Sequence, residues 1–374
     1  MGGYFDYNAT APAHPEVRAA IDKLLADPPG NPSSMHAQGR RARAILDEAR
    51  RLTASLLGAD PSMLVFTSGA TESNNIVLRG MTAKRPELTV VTTPIEHHSI
   101  VATVAALEQA GSAVVRLPVD SDAKIDFEEL SRLTASRPCL VATSWANGES
   151  GHITDVERLL DAVAPGTLVH LDAAQAAGRL PIRCGDGVDF LSVSAHKFGG
   201  PPGVGVLAIA GDTPLPIVTG GPQERGLRAG TENVPGIVGM GEAARVAAAA
   251  REREWERLRE LREELWRRIT QRPGDLLRIS PADGLANTLT VGVAGVAGDV
   301  VVSGLDLEGF SVSTGSACAA GAPEPSHVVR GLGVDERYRN GVVRMSMGRN
   351  TTEEDVVALA EAFATVVERA RRAA

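Results

Sequence analysis

The stretch SVSAHKFGGPPGVG, residues 192–205, stops a β-rich apolar run on a lysine and follows it with glycines and prolines. Proline lacks the backbone N–H and glycine is costly to order, so no regular element carries Lys197 onward. A lysine held in such a bend is either a surface cation or a reactive amine, and the rest of the chain has to decide between them. The run before it, FLSVS (190–194), is one of seven short apolar segments. The others are LVFT (64–67), LTVVTT (88–93), AVVRL (113–117), CLVATS (139–144), LVHLD (168–172) and VLAIA (206–210). Helical patterns intervene, such as RRARAILDEARRLTASLLG after Gly39 and TDVERLLDAVA after Ile153. Strands that are apolar almost throughout, alternating with helices, predict an α/β fold: a mostly parallel sheet of seven strands covered on both faces.

Farther along, REREWERLRELREELWRRITQ (251–271) places Trp255, Leu258, Leu261, Leu265 and Ile269 on one helical face. Its dense mixed charge reads as a solvated helix joining two domains rather than a partner-binding surface. The segments LANTLTVGV, GFSVSTG and VVRMSMG that follow predict a smaller α+β domain. The division expected is a large domain of residues 15–250 and a small one built from residues 1–14 and 251–374. A net charge of −8 over 374 residues argues against nucleic acid as a direct ligand. The opening MGGYFDYNATAPAHPEV has no basic segment leading into an apolar run, so no signal peptide is expected. Apolar stretches break well before the roughly 18 residues of a membrane span. Three cysteines, odd in number and sparse, make no disulfide framework and point to the reducing cytoplasm.

Within VFTSGATESNNIVLRG (65–80), a strand, a turn of small residues and a helix start follow one another. Gly69 and Ala70 allow close backbone approach, Thr71 offers a hydroxyl and a cap, and the free N–H groups of the first turn suit an anion such as phosphate. An ordinary capping box is the plain alternative, imperfect because Asn74 stands where Glu or Gln belongs. The stretch is neither a Walker loop nor GxGxxG. Asp172 ends the strand LVHLD, where ligands of open α/β sheets collect, although taken alone an N-cap for a helix from Ala173 is the commoner use. Lys197 ends the next strand, so both should emerge at one sheet edge. A strand-end aspartate, a strand-end lysine and a separate phosphate cradle together suggest pyridoxal 5′-phosphate, with the lysine forming the Schiff base and the aspartate keeping the pyridine nitrogen protonated. His97 and His98 are adjacent and should point different ways, and no metal site is expected. Cys318, in VSTGSACAAGAPEPSHV, sits among small residues that read as a mobile loop, where a free thiol is nucleophilic. Cys139 lies in an apolar strand and reads as core; Cys184, beside IRCGDG, reads as an inert loop thiol.

In order, TSGATESNN, EHHS, NGESG, LDAAQAAG, SAHKFGGPPGVG, ERGLRAGTEN, GSAC and RMSMGR resemble the motifs of cysteine desulfurases, from YFDYNATAP to about Arg349. These are fold-type I pyridoxal-phosphate enzymes of the class V aminotransferase group. The resemblance implies that Lys197 binds the cofactor covalently and removes the substrate Cα proton, and that Asp172 partners the pyridine nitrogen. It implies further that Gln175 bonds the ring hydroxyl, and that Thr71, Ser194, His196 and the backbone of Ala70 hold the phosphate. Thr231 would reach that phosphate from the neighbouring subunit of a homodimer. His97 would stack on the ring and serve as acid and base, while Asn147 and Arg344 would bind the substrate carboxylate. Cys318 would take the sulfur of L-cysteine as a persulfide, release alanine and pass the sulfur to an acceptor protein. The spacing to EPSHV resembles the branch with a long catalytic loop.

Two departures stand out. Gly148 replaces the second asparagine common before E-x-G. Relatives that feed iron–sulfur scaffolds often carry a C-terminal extension beyond the position of Ala374, so tRNA, DNA or cofactor thiolation is as open as cluster assembly. A selenocysteine lyase would share these motifs, and an aminotransferase-like class V enzyme would not need Cys318.

Overall fold

The structure, a computed structural model, describes residues 3–315 and 325–373; Cys318 lies outside them. The strands are β1 (Gly3–Tyr4), β2 (Leu64–Thr67), β3 (Thr89–Thr92), β4 (Val114–Arg116), β5 (Cys139–Ser144), β6 (Leu168–Asp172), β7 (Phe190–Ser194), β8 (Gly205–Ile209), β9 (Leu276–Arg278), β10 (Thr288–Val293), β11 (Phe310–Ser311) and β12 (Val342–Ser346). Strands β2 to β8 form the main sheet in the order β2-β8-β7-β6-β5-β3-β4. The pairs β2–β8 and β7–β8 are antiparallel and the rest are parallel. Every residue of β5, β6 and β7 is buried, because helices cover both faces and leave no polar side to alternate with. The expected mostly parallel seven-stranded sheet is therefore present. Asp172 pairs in register with Ser192, two residues short of the end of β7, so the two strand ends that carry Asp172 and Lys197 lie side by side.

A second, antiparallel sheet runs β12-β10-β9, and β1 pairs with β11 beside it. The helix Val234–Ile269 joins the two apolar cores, putting Ile237, Met240 and Ala243 in that of the main sheet and Leu258, Leu265 and Ile269 in that of the small one. The charge pattern had marked only its second half. The first half is rich in alanine and glycine and carries no charge alternation to mark it, because it packs closely: a Cβ on Gly241 would come 2.8 Å from the Ala49 Cα of the helix Ala37–Leu56. The charges of the second half pair along the helix itself, Arg257 with Glu254, Arg259 with Glu256 and Arg267 with Glu264.

Arg262, on the same helix, is fully buried and donates to the carbonyls of Ala282, Gly284 and Leu285. Leu285 in turn donates its N–H to Gly151 at 2.7 Å. The NGESG turn is thereby tied to the interdomain helix.

Candidate active site

At the carboxyl ends of the parallel strands lies a cavity of about 480 Å³. Ten of the twelve positions singled out from sequence line it: Ala70, Thr71 and His97 on one side, Asp172, Gln175, Ser194, His196 and Lys197 across the strand ends, and Asn147 with Arg344 toward the small sheet. The two that do not are Cys318, outside the described residues, and Thr231, which is exposed elsewhere.

Lys197 sits in a single 3-10 turn, Ala195–Lys197, after β7. Its Nζ donates to the carbonyls of Asn8 at 2.7 Å and Ala9 at 3.0 Å. Burial, then the positive charges of Arg344 and Arg179, pull its pKa down to about 8. Asp172 is 5% exposed; Oδ2 accepts from Asn74 Nδ2 at 2.8 Å and Oδ1 from the Ala174 N–H at 2.9 Å. Residues 174–179 form turns and no helix, so the N-cap alternative for Asp172 falls away.

The helix Ala70–Lys84 begins two residues earlier than a Thr71 cap would allow. Gly69 is its N-cap, no side chain caps it, and Thr71 stands in the first turn. Gly69 has a φ of +154°, at the edge of what other residues reach, and a Cβ there would meet Ser194 Oγ at 3.4 Å. Ala70 thus opens a helix whose leading N–H groups no side chain covers, next to a serine hydroxyl. His196 Nδ1 lies 3.1 Å from Thr10 Oγ1, and burial followed by the Lys197 charge lowers its pKa to about 4, so the ring is neutral at physiological pH.

His97 and His98 diverge as adjacent side chains should. The His97 Nδ1 accepts from the Ser99 N–H at 3.1 Å and lies 2.8 Å from Ser99 Oγ, whereas the His98 ring packs on that of His327 at 4.6 Å. Burial lowers the His97 pKa. Ser99 Oγ also accepts from Asn74 Nδ2, which joins His97 to Asp172 through two side chains.

Arg344 donates through Nη2 to Asp6 Oδ1 at 2.7 Å and through Nη1 to the carbonyls of Gly148 and Gly315. Its Nε is buried with no partner among the described residues. Asn147 spends one Nδ2 hydrogen on the Ile95 carbonyl and its Oδ1 on the N–H groups of Glu149 and Ser150, leaving one N–H for a ligand.

The sequence reading missed Asn8, Asn74 and Arg179. Asn8 accepts from Lys197 and Gln175 through its carbonyl, while its side chain donates to Gly148 and Thr288. Its only signal was a place inside YFDYNATAP.

The Aminotransferase class-V family matches residues 3–359 of this chain. A cysteine desulfurase of Cereibacter sphaeroides is 41% identical over 375 residues, covering 98% of this chain and 96% of that protein. The chain belongs to the cysteine desulfurases. A solved NifS-like protein superposes with a TM-score of 0.92 at 35% identity, covering 99% of this chain and all of the other. SspA in complex with cysteine gives a TM-score of 0.79 at 30% identity, over 92% of this chain and 98% of that one.

Desulfurases of this family depend on pyridoxal phosphate, and the residues present fit the group. The uncapped start of the helix Ala70–Lys84 is suited to a phosphate, the buried Asp172 carboxylate to a ring nitrogen, and the Lys197 amine is close to its neutral form. Gly148 belongs to this fit, since a Cβ there would stand 2.7 Å from Gln175 Nε2. In this desulfurase Gly148→Ala therefore pushes the Gln175 amide aside, and retention of pyridoxal phosphate weakens about tenfold, the cost of one lost hydrogen bond. Equilibrium dialysis of the cofactor checks this, and retention equal to wild type would show that Gln175 yields without loss.

Proposed function

We propose that this desulfurase converts L-cysteine to L-alanine and passes the sulfur to Cys318 as a persulfide, from which an acceptor protein takes it. The observation that carries the reading is the meeting, around one cavity, of the lowered Lys197 amine, the Asp172 carboxylate and an uncapped helix start. The likeness to SspA in complex with cysteine supports the substrate.

When bound, pyridoxal phosphate supplies an electron sink for carbanion chemistry at the amino acid. Ala70 N–H, Thr71, Ser194 and His196 would hold its phosphate, Asp172 its ring nitrogen and Gln175 its ring oxygen, with His97 over the ring. Arg344 and the free Asn147 N–H bind the substrate carboxylate; the unpartnered Nε of Arg344 is the donor held ready for it. Lys197 takes the Cα proton. The Cys318 thiolate attacks the substrate sulfur, an S–S bond forms as Cβ–S breaks, and the electron pair stays on Cβ, which takes a proton with His97 close by. Cysteine and a thiol become alanine and a persulfide, and the atoms balance.

A homodimer fits the same reading. Thr231 is exposed, and the stretch before it shows Leu215 at 45% and Val218 at 51% exposure, apolar surface that a second subunit would cover.

Equal amounts of alanine and sulfide from L-cysteine plus reductant test the reading. A loaded enzyme that releases neither, or that acts on selenocysteine alone, refutes it.

Lys197 adds a pH dependence. Covalent capture needs the neutral amine, which is the minority form below about pH 8 and the main form above it. The rate of pyridoxal-phosphate uptake by the apo-protein should rise with pH and level off above a midpoint near 8. Stopped-flow absorbance measures it, and a midpoint near 10, the ordinary lysine value, would contradict the burial argument.

A further inference from the structure

Arg179 stands behind the catalytic cavity rather than in its wall. It lines a second cavity, of about 370 Å³, on the far side of Lys197. It reaches the site only through two neighbours. Nη1 donates to the backbone carbonyl and to the side-chain Oε1 of Gln175, each at 2.8 Å, and Nη2 donates to the Lys197 carbonyl at 3.0 Å. Among the described residues it has no carboxylate partner, and burial, then the Arg344 charge, brings its pKa down to about 10. Fastening two turns through carbonyl oxygens does not by itself call for a charged group.

Its chemistry suits another task. Arginine carries donors only, whereas a glutamine amide presents a donor at one end and an acceptor at the other with nearly the same shape. Oε1 must therefore face Arg179, and Nε2 must face the site, where it donates to the Asn8 carbonyl at 3.0 Å. That carbonyl is the one that also accepts from Lys197 Nζ.

We propose that Arg179 is a positioning residue that holds the Gln175 amide as a hydrogen-bond donor toward the ring oxygen of bound pyridoxal phosphate. The inference rests on the cofactor reading above. Without Arg179 only the Asn8 carbonyl holds that orientation, and the amide is freer to turn over and present Oε1 to the ring oxygen, acceptor against acceptor.

The test is a titration of the apo-protein with pyridoxal phosphate, reading the dissociation constant, the absorption spectrum of the loaded protein and the pH midpoint of that spectrum. Arg179→Met should raise the dissociation constant about tenfold and shift the midpoint. Arg179→Lys, which still donates to Oε1, should recover most of both. In a Gln175→Ala background, Arg179→Met should add little, since residues acting through one contact are not additive. Should the methionine variant not fold, Arg179→Ala, which likewise lacks a donor, carries the same comparison. Full additivity with Gln175→Ala overturns the proposal. So does a lower melting temperature with binding and spectrum unmoved, the mark of a mere fastener. A wild type that takes up no pyridoxal phosphate overturns the cofactor reading along with it, whereas a loaded wild type matched by every Arg179 variant overturns this inference alone.

Discussion

Cys318→Ala should abolish sulfide release from L-cysteine, by on the order of 10³-fold or more, while the protein still takes up pyridoxal phosphate. Two other thiols compete for the role, and the structure disposes of both. Cys139 is buried in the core beneath the main sheet, where desolvation raises its pKa. Cys184 is buried in the same core, and desolvation drives its thiol up to about 12. Neither yields a thiolate near neutral pH, and neither lines the catalytic cavity. Cys318 follows Gly315 by three residues, and Gly315 does line it, with its carbonyl accepting from Arg344 at 2.5 Å. On the downstream side Ser326 donates to Glu149 at 2.5 Å and the His327 ring lies 2.8 Å from the Glu96 carbonyl, so both flanks of the segment are fastened at the cavity rim. Alanine and sulfide should fall together, with the cofactor absorbance intact. A variant that releases sulfide at the wild-type rate would remove Cys318 from the reaction.

Much of this was open to reading before any coordinates. The inner strands of the main sheet are buried on both faces, so their sequences are apolar without alternation and stand out against the helices between them; β3 and β4 came out one residue shorter at each end than expected, and β8 shifted by one, Gly205–Ile209 against 206–210. Lys197 and Asp172 were legible only together: each alone has an ordinary use, as a surface cation or an N-cap, but two charged strand ends at one sheet edge with a separate phosphate cradle point to one ligand. What stayed hidden depends on contacts made across long stretches of chain. Asn8 reaches Thr288, 280 residues away, and no local pattern records that. Arg179 follows a glycine with no local pattern to mark it, and only the fold sets it behind Gln175 and Lys197. The start of the helix Ala70–Lys84 was misplaced for a related reason: an N-terminus left free for a ligand lacks the capping side chain by which helix starts are recognised.

Asp172→Asn should lower the rate of alanine formation by on the order of 10²–10³-fold, the usual cost of removing a preorganised electrostatic partner of the reacting group. The carboxylate's task is to hold a proton on the pyridine nitrogen, and a neutral amide cannot match its charge. The local hydrogen bonds make the exchange worse. Oδ1 accepts from the Ala174 N–H and Oδ2 from Asn74 Nδ2, so both oxygens already face donors. Whichever way an asparagine amide is turned, its NH₂ meets one of them, and either the Ala174 turn or the Asn74–Ser99–His97 chain has to give way. The loss should therefore appear in kcat more than in KM, because Arg344 and Asn147, which bind the substrate carboxylate, lie outside that chain. Steady-state alanine formation by the loaded variant measures the split. A kcat within a few-fold of wild type would mean that the ring nitrogen needs no carboxylate here, and the role given to Asp172 would have to pass to another group.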